Sequence, residues 1–310
     1  MQKKKSKRPT KRKRSAKGAQ SPPPVAAAEE PNADALALPS EPEVPEGTVV
    51  CMRTHHTQQW RTLIDALKDL IPESPVTFGA SGMKLISMDP AHVALINLQV
   101  CSEFYYCKRE TTVGLNVAAL YRMLRNLTTG GYLLEINLLE SDPDHLSILV
   151  NNEEKRTRTS NRLKLLRLPE EIITIPPTVF QRVLSIPSAD FQRYIRELSG
   201  VSNKISIRST KDMLLLSASG TMGTTEIEVR PTASGMHWQH IESAASDEEE
   251  EAVEGVYLAK YLERFSRPLD PVVEIFMRPA YPLVLRYSMS TAVVRLVIAQ
   301  CAREEGGGDE

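Results

Sequence analysis

The stretch GMKLISMDPAHVAL, residues Gly82–Leu95, sets Asp89 and His92 three residues apart beside Met88 and Val93, in a region whose apolar residues otherwise alternate at period two. Gly82 marks one turn and Asp89-Pro90 another, so the stretch reads as the end of one strand and the start of the next. The strands predicted around it are VTFGASGMKLISM (76–88), AHVALINLQV (91–100) and YYCKRETTVGLNV (105–117). An acid and a histidine at this spacing admit three readings: a general acid and base, a metal site, or a recognition surface.

Working outward, Trp60, Leu63, Ile64, Leu67, Leu70 and Ile71 mark one face of a preceding helix. Leu120, Met123, Leu124 and Leu127 mark a second helix, ended by the glycines of TTGG. Strands GYLLEINLLE (131–140), HLSILVNN (145–152) and TSNRLKLLRL (159–168) follow. The order then recurs. Ser188 is the predicted N-cap of a third helix burying Phe191, Tyr194, Ile195 and Leu198. Strands KISIRST, DMLLLSASGTM and TTEIEVRP lead to a fourth helix carrying Val256, Tyr257, Tyr261, Leu262 and Phe265, and then to VVEIFMRP, YPLVLRYSM and VVRLVIAQ. Helix, strands, helix, strands, twice over, is an α+β duplication. It is not the βαβ alternation of a dinucleotide-binding or phosphate-loop fold.

The predicted organisation is a tail over 1–47, a first domain over 48–165, a connector over 166–178, a second domain over 179–303 and an acidic end over 304–310. Pro169, Pro176 and Pro177 keep the connector extended. The tail begins KKKSKRPTKRKR and continues in Pro, Ala and Glu, a composition without enough large apolar residues to offset the entropy of ordering it. Lys3, Lys4, Lys5, Lys11, Arg12, Lys13 and Arg14 read as a nuclear-localisation signal, or as an arm for polyanions.

The net charge of −1 hides an asymmetry. Residues 1–28 hold ten Lys or Arg and no acid, and residues 29–47 hold six acids and no base. The body is therefore mildly acidic, so contact with a polyanion requires cations gathered on one face. The helices supply them: Arg61 and Lys68 on the first, Arg122 and Arg125 on the second, Arg193 and Arg196 on the third, Lys260 and Arg264 on the fourth, with Arg267 just after. Acids concentrate elsewhere, at Asp247–Glu251 and Glu304–Glu310. Aromatic residues are not interleaved with these cations as a base-stacking platform requires, so duplex phosphates are the better match.

Cys51, Cys101, Cys107 and Cys301 form no CxxC pair, and His55, His56, His92, His145, His237 and His240 have no zinc-finger spacing to them. Inert thiols in a reducing compartment are expected, with no metal and no cofactor. Phosphate-loop, HExxH and GxSxG signatures are absent, so Asp89 and His92 are the only tempting catalytic pair, and the expectation is a non-enzyme. No run of apolar residues reaches the ~18 that a membrane span needs.

In order and spacing, LIDALKDLI, GMKLISMDPAHVAL, PSADF, SASGTMG, DEEEEAV and YPLVLRY resemble the proliferating cell nuclear antigen family, the sliding clamps of eukaryotic DNA replication. The resemblance covers about Val49 to Arg303. It implies an α+β clamp fold of two similar domains, each with two helices packed under antiparallel sheets, and a ring of three such chains around duplex DNA, without sequence preference, that tethers DNA polymerase, a clamp loader and other replication and repair proteins in the nucleus. A monomeric or dimeric processivity factor of this fold, or one subunit of a heterotrimeric clamp, are the alternatives.

By the same resemblance Arg61, Lys68, Arg122, Arg125, Arg193, Arg196, Lys260 and Arg267 face DNA, while Thr62 stands where the family often has lysine. A partner-peptide pocket is implied at Met88, His92, Val93 and Leu95, at Ile173, Thr174 and Ile175 of the connector, and at Pro282, Val297, Ile298 and Ala299. Gln300 stands where the family has proline and Thr174 where it often has glycine. Edge strands at about Arg156–Leu163 and Thr224–Arg230 are implied to join neighbouring chains, with Arg156, Arg158 and Arg162 answered by Glu226 and Glu228 beside Thr224. Lys211 matches a position that accepts ubiquitin-type modification.

Overall fold

The computed structural model describes residues 44–127, 130–169, 173–239 and 252–301. The first half runs β1 (Thr48–Thr54), α1 (Thr57–Leu67), β2 (Glu73–Gly79), β3 (Gly82–Met88), β4 (Ala94–Val100), β5 (Phe104–Cys107), β6 (Thr111–Asn116), α2 (Val117–Leu124), β7 (Tyr132–Leu139), β8 (Asp142–Asn152) and β9 (Thr157–Lys164). The second half repeats that order: β10 (Arg182–Pro187), α3 (Ser188–Ser199), β11 (Lys204–Ser209), β12 (Leu214–Gly220), β13 (Gly223–Val229), β14 (His237–Trp238), β15 (Val253–Leu258), α4 (Ala259–Phe265), β16 (Val272–Met277), β17 (Leu283–Ser288) and β18 (Ala292–Ile298).

The sheets repeat as well. Each half makes a five-stranded unit, β5-β1-β7-β8-β9 in the first and β14-β10-β16-β17-β18 in the second. Each also makes a four-stranded unit, β4-β3-β2-β6 and β13-β12-β11-β15. The second half's five strands and the first half's four fuse into one nine-stranded sheet through the antiparallel pair β18–β4, from Ala292 opposite Val100 to Ile298 opposite Ala94. Alternation explains the strands: in β4 every second residue is buried, so Ala94, Ile96, Leu98 and Val100 face the core.

The helices cover the core side of these sheets. Trp60, Leu63, Ile64 and Leu67 are buried on α1, and Phe191, Ile195 and Leu198 on α3. On α2 the Asn116 side chain accepts the Ala119 N–H at 2.7 Å, closing the first turn. The Tyr287 hydroxyl, buried in β17, donates to the Phe265 carbonyl at the end of α4 and ties that helix to the nine-stranded sheet.

Three local expectations change. Leu70, Ile71 and Leu127 are buried but lie beyond the ends of their helices. Ser188 is the first residue of α3 rather than its cap; Pro187 holds the cap position, and the Ser188 hydroxyl is buried without a hydrogen-bond partner. Val256 and Tyr257 belong to β15 and not to the fourth helix, because they pair with Ser206 and Ile205 of β11. Their apolar residues continue the spacing of Tyr261, Leu262 and Phe265, which hid the joint.

Candidate nucleic-acid interface, sheet edges and peptide pocket

Four helices form one connected layer. α1 packs on α2 and α3 on α4. The two pairs meet where Arg267 reaches the Asp65 carboxylate at 3.3 Å and Arg264 donates to the Asp69 carbonyl at 2.8 Å. Away from the core this layer carries cations. Arg122, Arg125, Arg193, Arg196, Lys260 and Arg264 are exposed, and Arg61, Lys68 and Arg267 half-buried. All eight predicted DNA-facing residues therefore reach the solvent side of one layer.

Their charges are not equally available. Lys68 lies 2.6 Å from Asp65 and 3.3 Å from Asp69, with its ammonium over the Tyr121 ring. Burial opposes ionisation of Asp65, but hydrogen bonds from Lys68 and Tyr121 and the charges of Lys68 and Arg267 outweigh it and hold the carboxyl below its ordinary range. Lys68 and Arg267 thus share one carboxylate. Arg193 pairs with Asp190 at 3.1 Å, and Arg61 donates to the Arg125 carbonyl. Among the described residues Arg61, Arg122, Arg125, Arg196, Lys260 and Arg264 form no ion pair, and of these Arg122, Arg125, Arg196, Lys260 and Arg264 are exposed, so the available positive charge sits on α2, α3 and α4. Thr62 spends its hydroxyl on the Gln58 carbonyl. Sequence spacing cannot show the Asp65–Arg267 contact, whose partners are 202 residues apart.

The predicted joining strands are both sheet edges. Among the described strands β9 pairs only with β8, and β13 only with β12. On β9 the side chains alternate so that Leu163 is buried while Arg158 and Arg162 stand on the opposite face; Arg162 pairs with Asp142. Arg156 lies in the preceding turn at a φ of 50°. On β13 Ile227 and Val229 lean on the core, and Thr224, Glu226 and Glu228 stand on the other face. Glu228 is paired within the chain to Arg230 at 2.7 Å. One edge is basic and the other acidic on the same side of the strands.

On the sheet face away from the helices, register aligns Met88 with Leu95, Leu95 with Val297, Val297 with Val284 and Val284 with Phe276. This apolar row crosses five strands. Met88, Leu95 and Val297 are half-buried. Ile298, expected in the pocket, is fully buried on the opposite face, because neighbouring strand residues point to opposite sides. Ala299 donates its N–H to the Val93 carbonyl at 2.8 Å.

The Asp89–Val93 turn shapes one end of the row. Asp89 is buried, and its carboxylate accepts the N–H groups of Ala91, Val93 and Ala94 and the Tyr261 hydroxyl, the last at 2.5 Å. Burial opposes its ionisation, but these four donors hold its pKa below the ordinary value. His92 sits at a φ of 54°, exposed, with Nδ1 3.3 Å from the Met88 sulfur. Asp89 and His92 therefore do not form an acid–base pair: the carboxylate is turned inward and its lone pairs are taken.

Beyond the row, Pro282 follows Tyr281, whose ring packs edge-on against Phe180. From Ile173 to Phe180 the connector is neither helix nor strand, with Ile173 half-buried and Thr174 and Ile175 exposed. Its start is pinned where Leu166 and Gly114 exchange two backbone hydrogen bonds. Lys211 is exposed in the turn between β11 and β12. The tail lysines and arginines, His240, the Asp247–Glu251 run and the acidic end lie outside the described residues. Among the described residues no cluster of three or more His, Cys, Asp or Glu is placed to hold a metal ion, and no helix is long and apolar enough to cross a membrane.

Comparison with known families gives two matches that together span most of the chain. Residues 52–171 match the family described as proliferating cell nuclear antigen, N-terminal domain, and residues 174–301 match proliferating cell nuclear antigen, C-terminal domain. The matches meet at the connector, and each takes in one copy of the repeated element order. With both halves in sequence, and with the cationic helix layer and bare sheet edges on the fold, the chain belongs to the proliferating cell nuclear antigen family of DNA sliding clamps.

Proposed function

We propose that three copies of this chain close head to tail into a ring around duplex DNA and serve as a processivity factor in the nucleus, tethering DNA polymerase, a clamp loader and repair proteins. The observation that carries this reading is the β18–β4 junction. β18 and β9 are equivalent edges of the two five-stranded units, and β4 and β13 equivalent edges of the two four-stranded units. Within one chain β18 has β4 on its outer side, while β9 and β13 have no second neighbour among the described strands. Pairing β9 with β13 of a second copy repeats the internal junction and covers two edges that would otherwise invite aggregation.

Transferring the β18–β4 register to these edges sets Thr157 opposite Val229, Arg158 opposite Glu228 and Thr159 opposite Ile227 of the partner subunit. The charges then match. Exposed ion pairs contribute only about 0–1 kcal/mol each, so backbone pairing and the apolar Ile227 and Val229 hold the joint, and charge selects its register.

A closed ring cannot leave duplex DNA sideways, and a tethered polymerase stays near the primer end at high effective concentration. Contacts from Arg122, Arg125 and Arg196 to phosphates are diffuse and salt-sensitive, as sliding requires. Met88, His92, Val93, Leu95 and Val297, with Pro282, Ala299 and the connector residues Ile173, Thr174 and Ile175, take a partner peptide with aliphatic and aromatic anchors. Lys211 is the modification site of this reading, and the protein acts by binding and not by catalysis. Solution mass at two salt concentrations tests the ring: a three-chain species supports it, and a persistent monomer or dimer overturns it.

A further inference from the structure

Three consecutive residues after β18 are each anchored, the first to the first half and the next two within the second half. Ala299 donates to Val93, Cys301 donates to Val256 at 2.8 Å, and between them the Gln300 side chain turns aside. Its Nε2 donates to the Tyr281 carbonyl at 2.9 Å and lies 3.4 Å from the Tyr257 hydroxyl. The niche is built for that amide: a methyl group on Gly255 would collide with both Tyr257 Oη and Gln300 Nε2. Tyr257 is itself buried, and that burial pushes its pKa up to about 12, so it stays a neutral hydroxyl.

What the amide holds is the residue that holds the connector. The Tyr281 hydroxyl shares a hydrogen bond with Thr178 at 3.0 Å. Its ring meets Phe180 edge-on at 5.7 Å, and Phe180 also meets Phe276, the end of the apolar row, at 5.3 Å. A path of contacts thus runs from Gln300 through Tyr281 to Thr178 and Phe180, where the connector rejoins the second half. Removing the amide leaves the Tyr281 carbonyl without this donor and frees the 278–282 turn to shift.

We propose that Gln300 is a positioning residue for the peptide pocket: through Tyr281 it fixes the exit of the connector and thereby the width of the site between the connector and the apolar row. The inference rests on the pocket reading above. Gln300→Met keeps the length and loses the donor; Gln300→Glu keeps the shape and sets an acceptor against the Tyr281 carbonyl; Gly255→Ala disturbs the same niche from the other side. The probe is a fluorescein-labelled synthetic peptide of twelve residues with one aliphatic and two adjacent aromatic anchors. It is titrated by anisotropy against the full chain, with hydrogen exchange of residues 173–180 followed in parallel.

For Gln300→Met and Gln300→Glu the expected result is an affinity lowered about five- to tenfold and faster exchange in 173–180, with solution mass and exchange of the β18–β4 pair unchanged; Gln300→Glu has the larger effect. The fold-change corresponds to about 1–1.4 kcal/mol, the range of one hydrogen bond. Unchanged affinity and connector exchange in Gln300→Met overturn the proposal while the pocket stands. Failure of the unaltered chain to bind, or binding that Ile175→Glu leaves intact, overturns the pocket and the proposal together.

Discussion

Asp89 gathers one hydroxyl and three backbone donors, and the hydroxyl comes from Tyr261, 172 residues away on α4. A turn at Asp89-Pro90 is legible from residue types alone. Its buried partner is not, since nothing near Tyr261 in sequence distinguishes it from any other apolar helix residue. Tyr261→Phe removes a charge-assisted bond, and a loss of about 1.5–3 kcal/mol is expected in urea unfolding. The pH range of that difference follows from the two groups. Asp89 titrates below its unfolded value of about 3.9, so its contribution is complete above that pH and is lost as pH falls through the depressed folded value. Tyr261 is raised to about 12, with burial first and the Asp89 hydrogen bond and charge next among the causes. Its contribution holds below its unfolded value of about 10 and fades as pH rises through about 12. The gap between the unaltered chain and Tyr261→Phe should be flat from about pH 5 to 9 and narrow as pH falls through the depressed Asp89 value; a gap that grows in acid would contradict the assignment.

At the level of elements, strands were easier to read than their ends. β4 alternates cleanly, whereas the β15–α4 joint was hidden because Val256, Tyr257, Tyr261, Leu262 and Phe265 suit a helical face as well as a strand followed by a helix. Pairing with β11 decides it. Site residues were legible where one element carries them, as Arg122 and Arg125 on α2, and obscure where two elements share a charge, as Lys68 and Arg267 on Asp65. Reversing Arg122 and Arg125 to Glu should lower clamp-stimulated primer extension at least tenfold and leave the unfolding midpoint within about 0.5 kcal/mol, since both side chains are exposed. Equal extension lengths would remove α2 from the DNA face. For the edges, Arg158→Glu should shift the mass equilibrium toward single chains, and adding Glu228→Arg should restore assembly. Failure of the double variant to recover would reject the transferred register.

For the molecule as a whole, the duplication was the most legible feature, because each half repeats strands and helices in one order. How the halves join was not. Alternation marks a strand without naming its neighbour, so the choice of β18 for β4 and the bare condition of β9 and β13 appear only in three dimensions. The nine-stranded sheet has a mechanical meaning. Its internal seam is backed by covalent connection, by Asp89 with Tyr261, by Asp65 with Arg267, and by Ser290 with Gln59. The proposed seam between copies would have edge pairing, the apolar Ile227 and Val229 and surface charge, with no covalent connection behind it. In the proposed three-copy ring, three reinforced seams would alternate with three plainer ones, so a pulling or twisting force would part the plainer ones first. A machine that opens the proposed ring would then need to prise only one seam between copies.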